Sequence, residues 1–466
     1  MSNILIENYI IKLVHNRPKG QTIKAYGIYQ GYEGRDLIGS TLFEKIWDQH
    51  SICDLGDGNE LIYIDRIFLH ERTGSIALKS LEERKVPIRN PNQVFATIDH
   101  IVDTFPGRGD KTLMPSGSDF IRSLRASVKG TKIHFFDIDD PNQGIVHVVS
   151  PEQGIALPGI TYICPDSHTC SLGALGTLAW GVGSTECEHA LATNTLIKKK
   201  PKLMKIMVDG ILPLGVTSKD IILHLISQHG ADGAKDHAIE FMGSVVENLE
   251  IESRLTLCNM AVEFGATTGI IAPDNKTISY LEGKAFSPEE DDFNKAKHYW
   301  SELKTDQDAI FDKTITIDCS NITPYVTWGT NPQQAIPISH SIPFVDQIKN
   351  KNEKESMIRA LEYMGLEQGQ SINNQKIDAA FIGSCTNSRI SDLRSAAKIL
   401  KDKKVADNIR AICVPGSSQV KKQAEEEGLD RIFKSAGFEW RESGCSMCFF
   451  AGGESFGKNQ RDRKST

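Results

Sequence analysis

The amino-acid sequence predicts an α/β fold with mainly parallel sheets, divided among roughly three domains. Strand-like and helix-like stretches alternate along most of the chain, which is typical of parallel sheets covered by helices. The chain has 466 residues, and at about 150 residues per domain this length suggests roughly three domains. A highly charged stretch at residues 285–315 predicts a boundary between two of them.

The composition is that of an ordinary globular protein, with 39% hydrophobic and 24% charged residues. The net charge of −7 argues against a surface built mainly to bind nucleic acid. The first residues lack the basic flank and long apolar run of a signal peptide, and no uninterrupted apolar stretch of about 18 residues occurs. We therefore expect a cytoplasmic enzyme that has neither nucleic acid nor a membrane as a partner.

In the first two thirds of the sequence, short strands and helices follow one another. The predicted strands are 142–150, 160–164 and 203–208, and the predicted helices are 186–196 and 218–230. The second helix is well marked, because Ser218 can cap its start, Gly230 can end it, and its isoleucines and a leucine fall on one face. After the strand 160–164, the polar run 165–169 occupies the position at which α/β folds place ligands.

The last third of the chain repeats this pattern. The predicted strands are 377–383, 409–414 and 438–440, and the predicted helices are 390–400 and 419–427. Cys385 directly follows the first of these strands, and the pair Cys445 and Cys448 follows the last. Loops beyond the carboxyl ends of parallel strands are where α/β folds bind ligands, so we expect these cysteine loops to do so.

Ten cysteines are too few for a disulfide scaffold but enough for a metal or cluster site in a reducing compartment. The C-x-x-C spacing of Cys445 and Cys448 lets both sulfurs point at one metal centre. By spacing alone, a three-cysteine cluster, a zinc site and no metal are about equally consistent, and Cys413, the available fourth zinc ligand, is better interpreted as a core cysteine. Small polar residues around Cys385 favour a cluster, because they can donate hydrogen bonds to its sulfurs. Three ligands to a cubane leave one iron open to act as a Lewis acid.

Three polar runs suggest acid–base chemistry. Asp99 and His100 follow an apparent strand, and they can act as a pair if the strand ends there. His147 lies in the predicted strand 142–150 among apolar residues, where a core histidine is more common than a functional one. The run 166–168 (DSH) at the end of a strand suits a small anionic substrate, but an Asx turn that caps a helix is about as consistent with it.

Five motifs occur in a fixed order along the chain. They are TIDH at 97–100, PDSHT at 165–169, CNMAVE at 258–263, GSCTNSR at 383–389 and GCSMC at 444–448. Taken together, they resemble the aconitase superfamily, and most of all its large-subunit branch that isomerises isopropylmalate in leucine biosynthesis. The similarity extends from about residue 41 to about residue 448, and in combination the motifs are very specific.

The resemblance implies three α/β/α domains with mainly parallel sheets around an iron–sulfur cluster. We place them at residues 41–200, 201–320 and 321–466, after an N-terminal extension of residues 1–40 that matches nothing in the family. The family continues past its paired cysteines with an S-N-R-N-F segment that binds substrate carboxylates, which would fall beyond Thr466. We therefore expect the third domain to be incomplete at its C-terminus and the activity to be impaired.

The resemblance also implies the residues of the site. It implies one [4Fe–4S] cluster per subunit with one open iron and three cysteine ligands, which are Cys385, Cys445 and Cys448. The implied catalytic residues are Asp99, His100, His147, Asp166, His168 and Glu240. Among them, His100 would protonate the departing hydroxyl group. Ser167 and Arg389 are implied as substrate-binding residues.

The implied activity is a dehydration followed by a rehydration. A 2-hydroxy-dicarboxylate would lose water and regain it with the hydroxyl on the neighbouring carbon, here between 2-isopropylmalate and 3-isopropylmalate through 2-isopropylmaleate. A separate small subunit would carry the serine base, so the chain would work in a heterodimer. Homoaconitase-like and methylmalate or citraconate hydratases stay open, as do an inactive remnant and RNA binding without the cluster, which the net charge disfavours.

Overall fold

The computed structural model describes residues 39–383, 385–448, 454–455 and 462–465. The helices are α1 (Leu42–His50), α2 (Gly74–Glu83), α3 (Gly117–Val128), α4 (Val146–Glu152), α5 (Ser184–Thr193), α6 (Ser218–His229), α7 (Ser244–Asn248), α8 (Ile251–Asn259), α9 (Asn275–Leu281), α10 (Glu290–Glu302), α11 (Lys351–Met364), α12 (Ile390–Leu400), α13 (Ser418–Glu426) and α14 (Leu429–Ala436). None of these helices is both long and apolar enough to cross a membrane.

The strands fall into five sheets within the described residues. They are β1 (Ser51–Gly56), β2 (Asn59–Tyr63), β3 (Arg66–His70), β4 (Val94–Thr97), β5 (His134–Phe136), β6 (Thr161–Cys164), β7 (Leu178–Gly181), β8 (Thr195–Lys199), β9 (Lys202–Asp209), β10 (His237–Met242), β11 (Thr268–Ile270), β12 (Lys313–Asp318), β13 (Tyr325–Thr327), β14 (Ala335–Pro337), β15 (Ala379–Ile382), β16 (Arg410–Cys413), β17 (Phe438–Trp440) and β18 (Asp462–Ser465).

The largest sheet has the order β5-β4-β3-β6-β7, and all of its neighbouring strands are parallel. Its central strands are short apolar runs, such as VFAT in β4 and TYIC in β6, whose residues are all buried. That pattern is typical of a parallel sheet covered on both faces. β1, β2 and β8 form a separate antiparallel sheet.

Two further sheets are also parallel. Counting the sheet β5-β4-β3-β6-β7 as the first, the second parallel sheet has the order β11-β10-β9-β12 and the third has the order β17-β16-β15-β18. The chain is therefore α/β with mainly parallel sheets, as predicted. The predicted domains 41–200, 201–320 and 321–466 contain one of the three parallel sheets each, and their bounds stay a prediction. Residues 1–38, most of the predicted N-terminal extension, lie outside the described residues.

Many of the predicted strands and helices are present, but the predicted strand 142–150 is wrong. Val146–Glu152 forms the helix α4 instead, and six of its seven residues are buried. Because this segment is apolar on nearly every side, its hydrophobic pattern does not distinguish a helix from a strand. The start of α4 is fixed by two long-range bonds: Ile145 N donates to Gly416 O at 2.9 Å, and Val146 N donates to the Asp99 carboxylate at 3.0 Å.

The polar residues of interest follow the carboxyl ends of strands in two sheets. In the first sheet, Glu71 follows β3, Asp99 comes just after β4, and Asp166 comes just after β6. In the third sheet, the loop after β15 carries Cys385 and the loop after β17 carries Cys445. The backbone N–H of Cys445 donates to the carbonyl of Asp99 at 2.8 Å. The carboxyl edges of the two sheets therefore meet at one place.

Candidate active site

Two tightly turned loops bring the three predicted cysteine ligands together. Cys385 has a φ of 47° and Ser446, within the 3₁₀ turn that contains Cys448, has a φ of 49°. Positive φ is costly for residues with a side chain, so these conformations are held by the surrounding structure. The thiols of Cys385 and Cys448 are in hydrogen-bond contact, and the charge of Cys445 acts on Cys385 as well.

The thiol trio fits an iron–sulfur cluster. All ten cysteines are free of disulfides. The contact with Cys448, together with burial, raises the pKa of Cys385 well above its usual value, and burial raises the pKa of Cys445. A positive metal centre reverses that effect, because metal-bound thiols are deprotonated. Donors are also at hand: the Asn259 amide lies 3.6 Å from the Cys385 sulfur, and the buried Thr386 hydroxyl has no hydrogen-bond partner among the described residues.

A four-cysteine zinc site is not formed within the described residues. Cys413 is fully buried in β16 and packs in the apolar core of the third sheet with residues of α12, α13 and α14. A core role for Cys413 is what the sequence favoured. Three cysteines therefore converge within the described residues. Three thiolates leave one position of a cubane without a protein ligand.

A chain of buried acid–base groups lies beside the thiols. His100 Nδ1 is 2.6 Å from Asp99 Oδ1, and His100 Nε2 is 3.0 Å from Asp166 Oδ2. His147 Nε2 is 3.0 Å from the other oxygen of Asp166. The structure therefore brings Asp99, His100, His147 and Asp166 together, as the sequence predicted.

The charges of this chain set its protonation. Burial opposes the protonation of His100, but the charge of Asp99 and the bonds to Asp99 and Asp166 raise its pKa well above the usual value. Burial likewise opposes the ionisation of Asp166, but the charge of His147 and the bond from His100 hold its pKa well below the usual range. The imidazole of His100 thus lies between two carboxylates that favour its protonated form.

His168 and Ser167 directly follow Asp166, the last carboxylate of this acid–base chain. The Asp166 carboxylate accepts the backbone N–H of His168 at 2.7 Å and so caps the 3₁₀ segment Ser167–Leu175. His168 Nε2 is 3.1 Å from Glu263 Oε1, and its Nδ1 is 3.2 Å from the hydroxyl of the exposed Ser167. The predicted Asx cap is therefore present, and the active-site role of this run stays a prediction.

A cavity of about 350 Å³ lies next to His168 and two of the three cysteines, and this volume is typical of small-molecule sites. Its described lining combines thiols, acid–base groups and apolar side chains, and consists of His168, Lys219, Leu223, Thr256, Asn259, Met260, Glu263, Thr327, Pro332, Cys385, Asn387 and Cys448. Cluster ligands and polar residues from the first and second sheets therefore share one space that could take a small substrate.

This arrangement can be compared with known proteins. The model of the Aconitase family (aconitate hydratase) matches residues 44–465. The chain belongs to the aconitase family. The curated relative "3-isopropylmalate dehydratase large subunit 1" of Bradyrhizobium diazoefficiens is 46% identical over 426 residues, which are 91% of this chain and 89% of the relative. The predicted resemblance is confirmed, and the family match continues past Cys448 to the strand β18.

Three residues of this aconitase-family site were given no role from the sequence: His70, Glu71 and Glu263. The His70 ring stacks on the His100 ring with centroids 3.9 Å apart, and burial with the nearby charge of His100 lowers the His70 pKa to about 4. The buried Glu71 carboxylate accepts the backbone N–H groups of Asp99 and Ile101. His70 and Glu71 end β3 beside β4, so the rule that ligands lie at carboxyl ends of parallel strands could have found them.

Glu240 is not among the described residues that line the cavity, and its catalytic role stays a prediction. It lies within β10 and is 2% exposed, and both of its carboxylate oxygens are 2.7 Å from the Thr305 hydroxyl. The same hydroxyl accepts the backbone N–H of Leu42 at the start of α1. The carboxylate that does contact the site is Glu263, from the CNMAVE motif.

The guanidinium of Arg389 is likewise engaged inside the protein, and its substrate-binding role stays a prediction. It bonds to the carboxylate of Asp392, to Glu252 O at 2.5 Å, to the Thr256 hydroxyl at 3.0 Å and to Asn387 Oδ1 at 3.2 Å. Arg389 is 6% exposed and is not among the described cavity-lining residues. It connects the start of α12 to α8 rather than facing a substrate.

A second buried network supports the paired cysteines. The Glu454 carboxylate accepts hydrogen bonds from the N–H and hydroxyl of Thr104, from the hydroxyl of Ser446 and from the guanidinium of Arg441. Arg441 is 1% exposed and lies 4.1 Å from the ring centroid of Phe105. This network joins the segment after Asp99 and His100 to the cysteine turn.

Proposed function

We propose that this chain is the large subunit of a hydro-lyase that interconverts 2-isopropylmalate and 3-isopropylmalate through 2-isopropylmaleate, in leucine biosynthesis. The observation that carries the proposal is the contact of the three free thiols with the Asp99–His100–Asp166 chain, beside a cavity that Cys385 and Cys448 line. Family membership and the name of the curated relative support this reaction and this substrate among the hydroxy-dicarboxylates.

The cofactor of this proposal is one [4Fe–4S] cluster held by Cys385, Cys445 and Cys448. When bound, it supplies an open iron that polarises the substrate hydroxyl as a Lewis acid. The chain's own contribution is the geometry of the thiols, fixed by two strained turns, and the polar groups of Asn259 and Thr386 beside them. These groups tune and orient the ligand set.

His100 is the proton donor in this proposal. Asp99 on one ring nitrogen and Asp166 on the other favour the protonated form of His100, which can donate a proton. The departing hydroxyl takes this proton and leaves as water. His147 and Asp166 fix the orientation of His100, and His168 with Glu263 provides a second polar pair at the same wall.

A small subunit that carries a serine base completes the proposed enzyme. The words "large subunit" in the relative's name support such a partner. The substrate is a small dicarboxylate, and a heterodimer closes the cavity around it. Ten unbonded cysteines are consistent with a reducing compartment, so we place the protein in the cytoplasm.

The test is anaerobic reconstitution of the chain with iron and sulfide, followed by assay of isopropylmalate isomerisation with the small subunit. We expect broad visible absorption from the cluster and turnover in both directions. Cys385→Ser should lose both, while the matched control Cys53→Ser, in β1 and away from the cavity, should keep them. Retention of zinc without iron uptake, or a Cys385→Ser variant with full absorption, would contradict the proposal.

A further inference from the structure

The cavity has an apolar part that the proposed acid–base and metal chemistry does not use. Among the described residues that line it, the apolar ones are Leu223, Met260 and Pro332, and the others carry polar or ionisable groups. The proposed substrate is divided in the same way, because 2-isopropylmalate joins two carboxylates and a hydroxyl group to a branched alkyl group. Burial of that alkyl group against apolar side chains favours binding, since it removes apolar surface from water.

Leu223 is a buried leucine that lies outside the apolar core of the described residues. It is 5% exposed and lies in the middle of α6. Its helix neighbours Ile221, Ile222, Leu225 and Ile226 are members of the main core cluster, whereas Leu223 is in none of the apolar clusters that the described residues form. A buried leucine normally contributes to stability through core contacts. The position of Leu223 is therefore better explained by the cavity that it lines.

The turn that carries Pro332 is fixed against α6. Pro332 lies between β13 and β14, which form an antiparallel hairpin. At the start of this hairpin, Tyr325 N donates to Asp220 Oδ1 at 2.7 Å, and the Tyr325 hydroxyl is 2.8 Å from His224 Nδ1. Leu223 stands between these two partners in the helix, so the hairpin and the apolar side chain of Leu223 are held together.

Met260 extends the apolar surface toward the thiols. It is half-buried, packs against the main core and directly follows Asn259, whose amide is 3.6 Å from the Cys385 sulfur. A methionine side chain is flexible and adapts to the shape of what it contacts. A substrate that reacts beside Cys385 can therefore reach this apolar surface with its alkyl group.

We propose that Leu223, Met260 and Pro332 form the subsite for the branched alkyl group of the substrate, and that Leu223 favours isopropyl-substituted over methyl-substituted dicarboxylates. The inference rests on the proposed function, since it names the substrate class of that same cavity. The polar part of the lining is then left for the carboxylates and the hydroxyl group. The preference for a branched substrate is thus set in part by this chain.

The test uses the cluster-loaded complex with the small subunit and two ligands that cannot be dehydrated, isopropylsuccinate and methylsuccinate. The parent should bind isopropylsuccinate at least about 10-fold more tightly, because each methylene in an apolar pocket contributes roughly that much or more. Leu223→Ala should reduce this preference to less than about threefold. Leu223→Met, which keeps the apolar volume, should restore it. Leu113→Ala, which truncates a leucine that is 55% exposed and outside the described lining, is the matched control and should keep it.

The ratio of the two affinities separates alkyl contact from a general defect, because misfolding or loss of the cluster weakens both ligands alike. Visible absorption and circular dichroism verify folding and loading, and Met260→Ala tests the same subsite at a half-buried position if Leu223→Ala does not fold. A parent without the preference, or truncated variants that keep it, would overturn the inference.

Turnover of 2-isopropylmalate by the same complexes distinguishes this inference from the proposed function. Isomerisation by the parent together with an unchanged preference in the truncated variants would support the proposed function and overturn the alkyl subsite. A parent that prefers isopropylsuccinate through Leu223 but does not isomerise 2-isopropylmalate would support the subsite and overturn the proposed function.

Discussion

Glu240→Gln distinguishes a structural carboxylate from a catalytic one. Burial raises the pKa of Glu240 to about 7 from an ordinary value of 4.5, against the opposing bond from Thr305. Below pH 4.5 the carboxyl is protonated in both the folded and unfolded states, and between pH 4.5 and 7 only the unfolded state ionises. Stability therefore falls as pH rises through this window. The shift of 7 − 4.5 = 2.5, at 1.36 kcal/mol for each pKa unit, corresponds to about 3 kcal/mol.

Glutamine does not titrate, so Glu240→Gln should match the parent near pH 5 and exceed it at pH 8 by about 3 kcal/mol. Thermal unfolding at the two pH values measures this difference, and a gain of roughly 3 °C in melting temperature is expected at pH 8 only. The kcat of the cluster-loaded complex should stay within about twofold of the parent, since mutations far apart act independently. The exposed Glu247→Gln is the control. A large loss of kcat with an unchanged melting profile would refute this reasoning and restore Glu240 to the active site.

Two further predictions concern the contacts between domains. Arg389→Met should lower stability by roughly 2–3 kcal/mol, because several buried bonds to α8 are lost, and the melting temperature measures this; a variant as stable as the parent would show that these bonds contribute nothing. Glu454→Gln should accelerate the release of iron to a chelator from the loaded protein several-fold, because the Ser446 turn loses its charged acceptor. The exposed pair residue Glu427→Gln serves as the control, and equal release rates in both variants would contradict the supporting role of Glu454.

The sequence could locate the site because parallel sheets collect ligands at one edge. Asp99, Asp166 and Cys385 each follow a strand, and the structure brings the carboxyl edges of their two sheets together. The segment around His147 shows the limit of pattern analysis. A buried helix and a buried strand are equally apolar, so α4 was predicted as a strand.

The choice between two carboxylates shows a second limit. Glu240 and Glu263 both stand in motifs that resemble the family, but only contact through space decides which one reaches His168, 95 residues away in sequence. Arg389 poses the same problem, because an arginine beside a ligand loop can bind a substrate or the protein itself. Its partners Glu252 and Thr256 lie more than 130 residues earlier, and no local pattern predicts them.

The positions of His100 and the three cysteines relative to one another depend on main-chain hydrogen bonds that connect the first and third parallel sheets. The backbone of Cys445 bonds to Asp99, that of Ile145 bonds to Gly416, and that of Ser418 bonds to Gln143, each at 2.8 or 2.9 Å. The proposed proton donor, His100, and the proposed cluster ligands are therefore fixed relative to one another by main-chain contacts, which side-chain motion cannot relax. Such preorganisation is what a dehydration requires, since hydroxyl departure and protonation must occur at one point. The proposed serine base acts on the carbon next to the one that carries the hydroxyl. Because this base is proposed to lie on a separate subunit, the entry of a substrate leaves the positions of His100 and the cysteines unchanged.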